Sequence, residues 1–188
     1  MESGDVFGIS GDVFLSNPLK VGQKLETKEI SQLQSLDLKN RIRNQALNLL
    51  SFRQRSRAEL FRRLNEKGHQ IQDIEPILFD LESKGYLNDS EFAKMYAAHL
   101  IEKKLLGRVA VKSEFYPHQI PDHILDPILD ELYERIPPIN LVEKMVKKRM
   151  KTGEKSQKDK SRLVNQLKRR GFAWSEIEPA LNSISWEE

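Results

Sequence analysis

The chain of 188 residues contains no cysteine. Disulfides, thiolate metal sites and a cysteine nucleophile are therefore excluded. No apolar run approaches the roughly 18–20 residues that a membrane-spanning helix needs, and the N-terminus lacks the basic-then-apolar layout of a secretory signal. Aromatic residues make up only 7% of the chain, so few side chains are available to stack on bases. We expect a cytoplasmic protein that does not contact a membrane.

Motifs of the common catalytic and cofactor sites are also missing. The chain has no G-x-x-x-x-G-K-[ST] phosphate loop, no G-x-G-x-x-G turn, no H-E-x-x-H zinc motif and no G-x-S-x-G elbow. His118 and His123 are close enough in sequence to share a metal ion, but no Cys, Asp or Glu completes a recognisable ligand set. We expect no enzymatic activity, no cofactor and no metal site.

A pattern that recurs after 51 and then 52 residues predicts the architecture. Residues 60–81 and 163–184 superimpose after a shift of 103 places, and a degraded copy lies halfway between them. The first and third copies share leucines and a glycine, which the degraded copy replaces at some positions, as in Leu60/Val111/Leu163 and Gly68/Gln119/Gly171. All three copies have an acid followed by proline: Glu75-Pro76/Asp126-Pro127/Glu178-Pro179. The repeated acids are expected in the first turn of a helix, where they have capping and dipole roles and not catalytic ones.

The expected fold class is all-α: three tandem three-helix repeats in an extended curved array, preceded by a short N-terminal β-hairpin or irregular segment. The spacing of apolar residues, capping boxes and helix-ending glycines sets the boundaries. The predicted domains are residues 1–40 for the N-terminal hairpin and a short helix, then 41–87, 88–137 and 138–188 for repeats one to three.

Several local signals fix details of this prediction. Short β-prone runs on either side of Gly11-Asp12 suggest the hairpin, and Thr27 could cap a short helix that ends near Leu36. Capping boxes at Ser56–Glu59 and Ser175–Glu178 predict two helix starts. In the helix from about Glu91 to Leu105, the residues expected to face inward are Phe92, Met95, Tyr96, His99 and Leu100.

The basic residues are the main functional signal because they are unevenly distributed. Residues 41–67 hold eight Lys and Arg against two acids, and residues 140–172 hold twelve against three, whereas the segment between them is acidic. Such clusters favour phosphate backbones or acidic protein surfaces. Phe172 and Trp174 lie beside the second cluster, but the repeat aligns Trp174 with Ile71, so core packing is its expected role. The candidate binding residues are Arg53, Arg55, Arg62, Arg63, Lys144, Lys147, Lys148, Arg149, Lys151, Lys168, Arg169 and Arg170.

Three blocks, in order, resemble the RecX family of recombination regulators. They are Ala46–Ser56 followed by Glu59-Leu60, Leu64 and Lys67-Gly68; then Gly85-Tyr86-Leu87-Asn88-Asp89 with Phe92-Ala93 and Tyr96; then Arg169-Arg170-Gly171-Phe172. The resemblance covers about residues 41–184. Repeat two departs from the pattern, because Gln119 replaces the usual glycine.

The resemblance implies a non-enzymatic protein that binds RecA and the groove of the RecA–DNA filament. It also implies that the protein modulates, and usually suppresses, ATP hydrolysis, strand exchange and co-protease action. Auxiliary binding of single- or double-stranded DNA through the basic residues would accompany this, and we expect a monomer. Two alternatives stay open: a helix-turn-helix transcriptional regulator, and an interaction scaffold that binds no nucleic acid.

Overall fold

The computed structural model describes residues 6–150 and 156–186. Within these ranges the chain forms ten α-helices and one short 3-10 turn, and it forms no β-strand. The chain divides into two compact units, Met1–Asn88 and Asp89–Glu188. The all-α prediction is confirmed.

Unit 1, Met1–Asn88, contains the first four helices. Its core is made of leucine and isoleucine side chains from the last three of them, of which Ile42, Leu60, Leu64, Ile74 and Leu78 are completely buried. These residues recur at helical spacing, so each helix turns one apolar stripe inward. The helices are α1 (Gly11–Ser16), α2 (Thr27–Phe52), α3 (Arg57–Glu66) and α4 (Ile71–Ser83).

Unit 2, Asp89–Glu188, contains six helices around one continuous core. That core joins residues of the second repeat, such as Leu129, to residues of the third, such as Leu167 and Ile177. The helices are α5 (Asp89–Glu102), α6 (Arg108–Phe115), α7 (Asp122–Arg135), α8 (Pro138–Met150), α9 (Gln157–Arg169) and α10 (Trp174–Asn182), with the 3-10 turn Tyr116–His118 after α6.

The tandem three-helix repeats are confirmed as α2–α3–α4, α5–α6–α7 and α8–α9–α10. Between the second and third helices of each repeat the chain passes through a left-handed residue: Gly68 at φ 88°, Gln119 at φ 53° and Gly171 at φ 81°. The glycine of the repeat is therefore a turn residue. Gln119 adopts the same backbone region at a position where glycine would be favoured. The domain boundaries drawn from the sequence stay a prediction.

The third repeat touches the second through backbone at two glycines. The Gly107 amide donates a hydrogen bond to the Arg170 carbonyl (2.7 Å). A Cβ built on Gly107 would overlap with the backbone of Gly171, and one built on Gly171 would overlap with Ala110. Nearby, the Tyr133 hydroxyl donates to the Leu106 carbonyl (2.9 Å). Only glycine permits this approach.

This contact predicts that Gly171→Ala is more destabilising than Gly68→Ala. Both residues have a left-handed φ, which costs an alanine about 1–2 kcal/mol. Space around Gly68 is open, whereas a methyl group at Gly171 meets Ala110. We expect a loss of about 1–2 kcal/mol for Gly68→Ala and about 3 kcal/mol or more for Gly171→Ala, because overpacking adds its own cost. Urea denaturation followed by circular dichroism measures both, and equal losses would contradict the close contact.

The predicted N-terminal hairpin is wrong. Residues 11–16 form the helix α1, which packs against α2 with Val13 buried. The Ser10 amide donates to the Asp37 carboxylate (2.6 Å), and the Asn40 amide donates to the Ser10 hydroxyl (3.3 Å). An isolated hairpin is marginal in water, and these contacts with α2 favour one helical turn instead.

The predicted short helix from Thr27 to Leu36 is also wrong in its end point. The helix α2 continues without a break from Thr27 to Phe52. Glu26, not Thr27, is the residue before the first turn, and its amide donates to the Glu29 carboxylate (2.7 Å). Leu33, Asp37, Ile42 and Ala46 are the buried residues of α2, so the inward-facing stripe continues across the predicted boundary at residue 40.

Smaller corrections concern helix starts and faces. In α5, Met95 is 56% exposed and His99 is exposed, whereas Ala93, Ala97 and Ile101 are buried. The inward-facing stripe of α5 therefore includes Ala93, Ala97 and Ile101 and excludes Met95 and His99. The last helix starts at Trp174, and it is the Glu176 carboxylate that accepts the Ala173 amide (2.7 Å), so the capping box predicted at Ser175 is wrong.

The anchor of the N-terminal segment predicts a pH dependence. Hydrogen bonds from Ser10 and the ion pair with Arg41 lower the pKa of Asp37. A carboxylate with a lowered pKa in the folded state contributes stability above its unfolded value of about 3.9 and loses it as the pH falls through the lowered value. We expect the Ser10 amide resonance in NMR spectra to move on acidification with a midpoint below about 3.9. Asp37→Asn should abolish this titration. A Ser10 amide shift that does not change with pH in the unsubstituted chain would contradict the hydrogen bond to Asp37.

Candidate nucleic-acid interface

Two arginines predicted as binding residues in unit 1 surround a buried carboxylate. Glu59 is 2% exposed, and its carboxylate accepts from Arg53 (2.5 Å) and from Arg55. Arg55 is itself largely buried and also donates to the Leu49 carbonyl (3.0 Å). Burial raises the pKa of Glu59, but the two guanidinium groups outweigh it and hold the pKa below its usual value. The structure therefore gives Arg55 a structural role.

The buried ion pair predicts a large effect of Glu59→Gln on stability. The change leaves the Arg55 guanidinium buried without its carboxylate, and breaking such a pair costs about 3 kcal/mol. The Ser56 hydroxyl would still accept the amide of residue 59, as it does now at 3.1 Å. Glu66→Gln is the matched control, since its pairs with Arg62 and Arg63 are exposed and worth less than about 1 kcal/mol. Urea denaturation should separate the two variants, and similar midpoints would contradict the assignment.

The repeated acids have a different role from the one predicted. Glu75 and Asp126 lie in the second turn of α4 and α7, not the first. Glu75 pairs with Arg57 (2.5 Å) and Asp126 pairs with Arg108 (2.8 Å), and each arginine is the first residue of the preceding helix. In two repeats the acid thus ties the second helix to the third.

The acidic segment of unit 2 is partly neutralised by its own cations. Arg108 also contacts Asp130 (2.5 Å), and Lys112 lies 2.7 Å from Asp126 and 3.3 Å from Asp122. Hydrogen bonds from Lys112 and then Arg108 lower the pKa of Asp126. These ion pairs offset part of the negative charge of this segment.

The lysines of α8 line a shallow groove of about 720 Å³ between α8 and the end of α5. Lys144, Lys147 and Lys148 lie on it, together with Lys103, which the sequence had not singled out. Glu143 pairs with Lys147 (3.1 Å), and Glu102 also lines the groove. Lys151 lies outside the described residues. This surface is basic but contains carboxylates.

A second groove, the α9 groove, concentrates cations from α8 and α9. It holds about 760 Å³ and is lined by Arg149, Arg162, Asn165, Gln166, Lys168 and Arg169. Arg149 donates to the Gln166 amide oxygen (3.4 Å), which links the two helices. Four of its six lining residues are positively charged, and three of these four were predicted from the sequence.

Arg162 is the cation of the α9 groove that the sequence analysis did not single out. Arg162, Asn165 and Arg169 follow the i, i+3, i+7 spacing of one helix face. Helical periodicity could therefore have identified Arg162, whereas clustering of basic residues along the sequence did not. Arg162 shares its charge with Asp159 (3.4 Å). Among the described residues, no carboxylate lies within ion-pair distance of Lys168 or Arg169, so both cations remain available to a ligand.

Arg170 does not belong to this groove. Its guanidinium donates to the carbonyl of Lys104 and to that of Leu105 (3.4 Å). These carbonyls lie in the loop after α5, where Leu105 has a φ of 53°. Arg170 therefore fastens the third repeat to the second, and we do not count it among the groove residues.

The predicted core role of Trp174 is wrong. Trp174 is 49% exposed, and the residue that the repeat aligns with it, Ile71, is 61% exposed. Both are the first residue of the third helix in their repeat, where a side chain extends past the helix end. Phe172, by contrast, is 4% exposed and packs in the core of unit 2.

The described residues contain no group of three or more His, Asp or Glu side chains that could hold a metal ion. None of the helices within those residues has the length and apolar character needed to cross a bilayer.

Comparison with known proteins agrees with the repeat architecture. Residues 43–81 match the first three-helix domain of RecX. The chain is 29% identical to the regulatory protein RecX of Bacillus subtilis (strain 168) over 184 residues, which cover 96% of this chain and 69% of that protein. It is 22% identical to the regulatory protein RecX of Clostridium tetani, with 95% of this chain and 83% of that protein covered.

A solved structure shares the fold. The crystal structure of a regulatory protein RecX superimposes with a TM-score of 0.76 at 20% sequence identity, and it covers 97% of this chain and 92% of that one. The domain match, the relatives along nearly the whole chain and the shared fold are consistent with the three ordered sequence blocks. Along nearly its whole length the chain is therefore similar to regulatory proteins of the RecX family.

Proposed function

We propose that the chain is a non-enzymatic regulator that binds the RecA–DNA filament and inhibits its ATP hydrolysis, strand exchange and co-protease action. Similarity to RecX regulatory proteins along nearly the whole chain supports the regulatory role. RecA is the partner that the three sequence blocks resembling the RecX family imply. The protein would act as a monomer in the cytoplasm, by occupying or bridging filament surfaces without making or breaking a bond.

The α9 groove is the observation that supports a nucleic-acid component in this function. A phosphate backbone needs several cations that are free to exchange their counterions. The groove offers Lys168 and Arg169, which have no carboxylate partner within the described part of the chain, and Arg149 and Arg162 beside them. Asn165 and Gln166 add neutral hydrogen-bonding groups that can contact phosphate or sugar.

The exposed arginines of unit 1 are secondary candidates. Arg53, Arg62 and Arg63 have about half of their side chains exposed, but each is paired with a glutamate of its own unit. A ligand phosphate would have to compete with that glutamate. We therefore place the main contact in unit 2.

The proposal predicts that the chain lowers the DNA-dependent ATPase activity of RecA. Charge reversal at Arg162 and Arg169 to Glu should weaken inhibition at least tenfold in half-maximal concentration, because four units of charge change in one groove. Lys28 and Lys39 are exposed in unit 1, and their reversal to Glu is the control, with the same change in net charge. ATP hydrolysis by RecA on circular single-stranded DNA, titrated with each variant at several salt concentrations, measures this.

Two outcomes would contradict the proposal. Unchanged ATP hydrolysis together with no association with filaments would remove RecA as the partner. Equal weakening by the groove variant and its control would show that net charge, and not the α9 groove, determines binding. A footprint at one DNA operator that survives competition from bulk DNA would instead support the transcriptional regulator.

A further inference from the structure

Trp174 lies next to Lys168, one of the residues that line the α9 groove. Trp174 is about half exposed, and the Lys168 ammonium lies 5.6 Å from the centroid of its ring. Lys168 also lines the groove, so the aromatic surface and the cations are adjacent. A positively charged groove beside an exposed ring is the combination with which proteins hold single strands.

The fold does not require an aromatic residue at this position. It is the first residue of the third helix in each repeat, occupied by Ile71, Asp122 and Trp174. Ile71 is 61% exposed and the Asp122 side chain is 77% exposed. Because the position is exposed in all three repeats, packing does not explain the large ring at the third.

Trp186, the second tryptophan of the chain, has a structural role in unit 2. The Trp186 indole N–H donates to the Leu181 carbonyl (3.1 Å), and the ring packs against the core of unit 2. Lys160 lies 5.9 Å from its centroid, so a lysine beside the ring does not distinguish the two tryptophans. The two tryptophans differ in their exposure and in the groove that lies beside Trp174.

We propose that Trp174 is a stacking platform for an unpaired base, and that it makes single-stranded nucleic acid the preferred ligand of the α9 groove. Bases within a duplex cover one another's faces, so only an unpaired base can present a face to the indole. Lys168 is close enough to contact the phosphate of the nucleotide that stacks. This inference rests on the proposed nucleic-acid binding by the groove and adds its strand preference.

The first test uses Trp174 as its own reporter. In the full chain carrying Trp186→Phe, Trp174 is the only tryptophan, because the sequence contains two. We expect oligothymidylate to quench its fluorescence and a duplex of the same length to bind without comparable quenching. Binding of both ligands is followed independently by the anisotropy of a label on the DNA.

The second test separates stacking from charge. Trp174→Ala should weaken oligothymidylate binding about tenfold, since stacking one base contributes roughly 1–3 kcal/mol. Duplex affinity should change less than twofold, and the slope of log affinity against log salt should not change, because no cation is removed. Trp174→Phe should recover most of the lost affinity, and Arg169→Gln is the contrasting variant that reduces the salt slope.

Different outcomes overturn different statements. Oligothymidylate binding without quenching, or equal losses of single-strand and duplex affinity in Trp174→Ala, would overturn the stacking role and leave the groove as a general phosphate site. Absence of binding to either DNA at low salt would overturn both the stacking role and the nucleic-acid part of the proposed function. The proposed regulation of RecA would still be tested separately, by measuring the inhibition of its ATP hydrolysis.

Discussion

Backbone contact between Gly107 and Gly171 determines how the second and third repeats assemble. The Gly107 amide bonds to the carbonyl of Arg170, and the Arg170 side chain reaches two carbonyls of the opposite loop. Three interactions thus converge on the turn between α9 and α10. They fix the end of α9, which holds Lys168 and Arg169, and the start of α10, which holds Trp174. The groove and the ring are adjacent because this turn is held in place.

Within each repeat, a different interaction joins the second and third helices. In repeats one and two an arginine at the start of the second helix pairs with the acid that precedes proline in the third. Leucines below this pair fill the core, as Leu60, Leu64 and Leu78 do in unit 1. The recurring residues therefore build the scaffold, and the proposed binding surface comes from positions at which the copies differ.

The candidate site was predictable in part. A count of charges along the chain found Lys168 and Arg169, because they lie at a helix end where a cluster in sequence is also a cluster in space. The same count included Arg55 and Arg170, whose guanidinium groups are used internally. It omitted Arg162, which is seven residues from Arg169 in the sequence. The helix brings the two residues onto one face, and a count of neighbouring charges does not detect this. Which cations face a ligand depends on where the carboxylates and carbonyls of other elements lie.

The sequence alone determined the helical class, the three repeats and the turn positions near Gly68, Gln119 and Gly171. These follow from apolar spacing and from the backbone freedom of glycine, which act over a few residues. Tertiary structure decided the conformation of the N-terminal segment, because contacts with α2 favour the helix α1 over the predicted hairpin. It also decided that the second and third repeats share one core, that two arginines are structural, and that Trp174 is exposed. Each of these depends on which distant residues come into contact, and a local pattern carries no information about that.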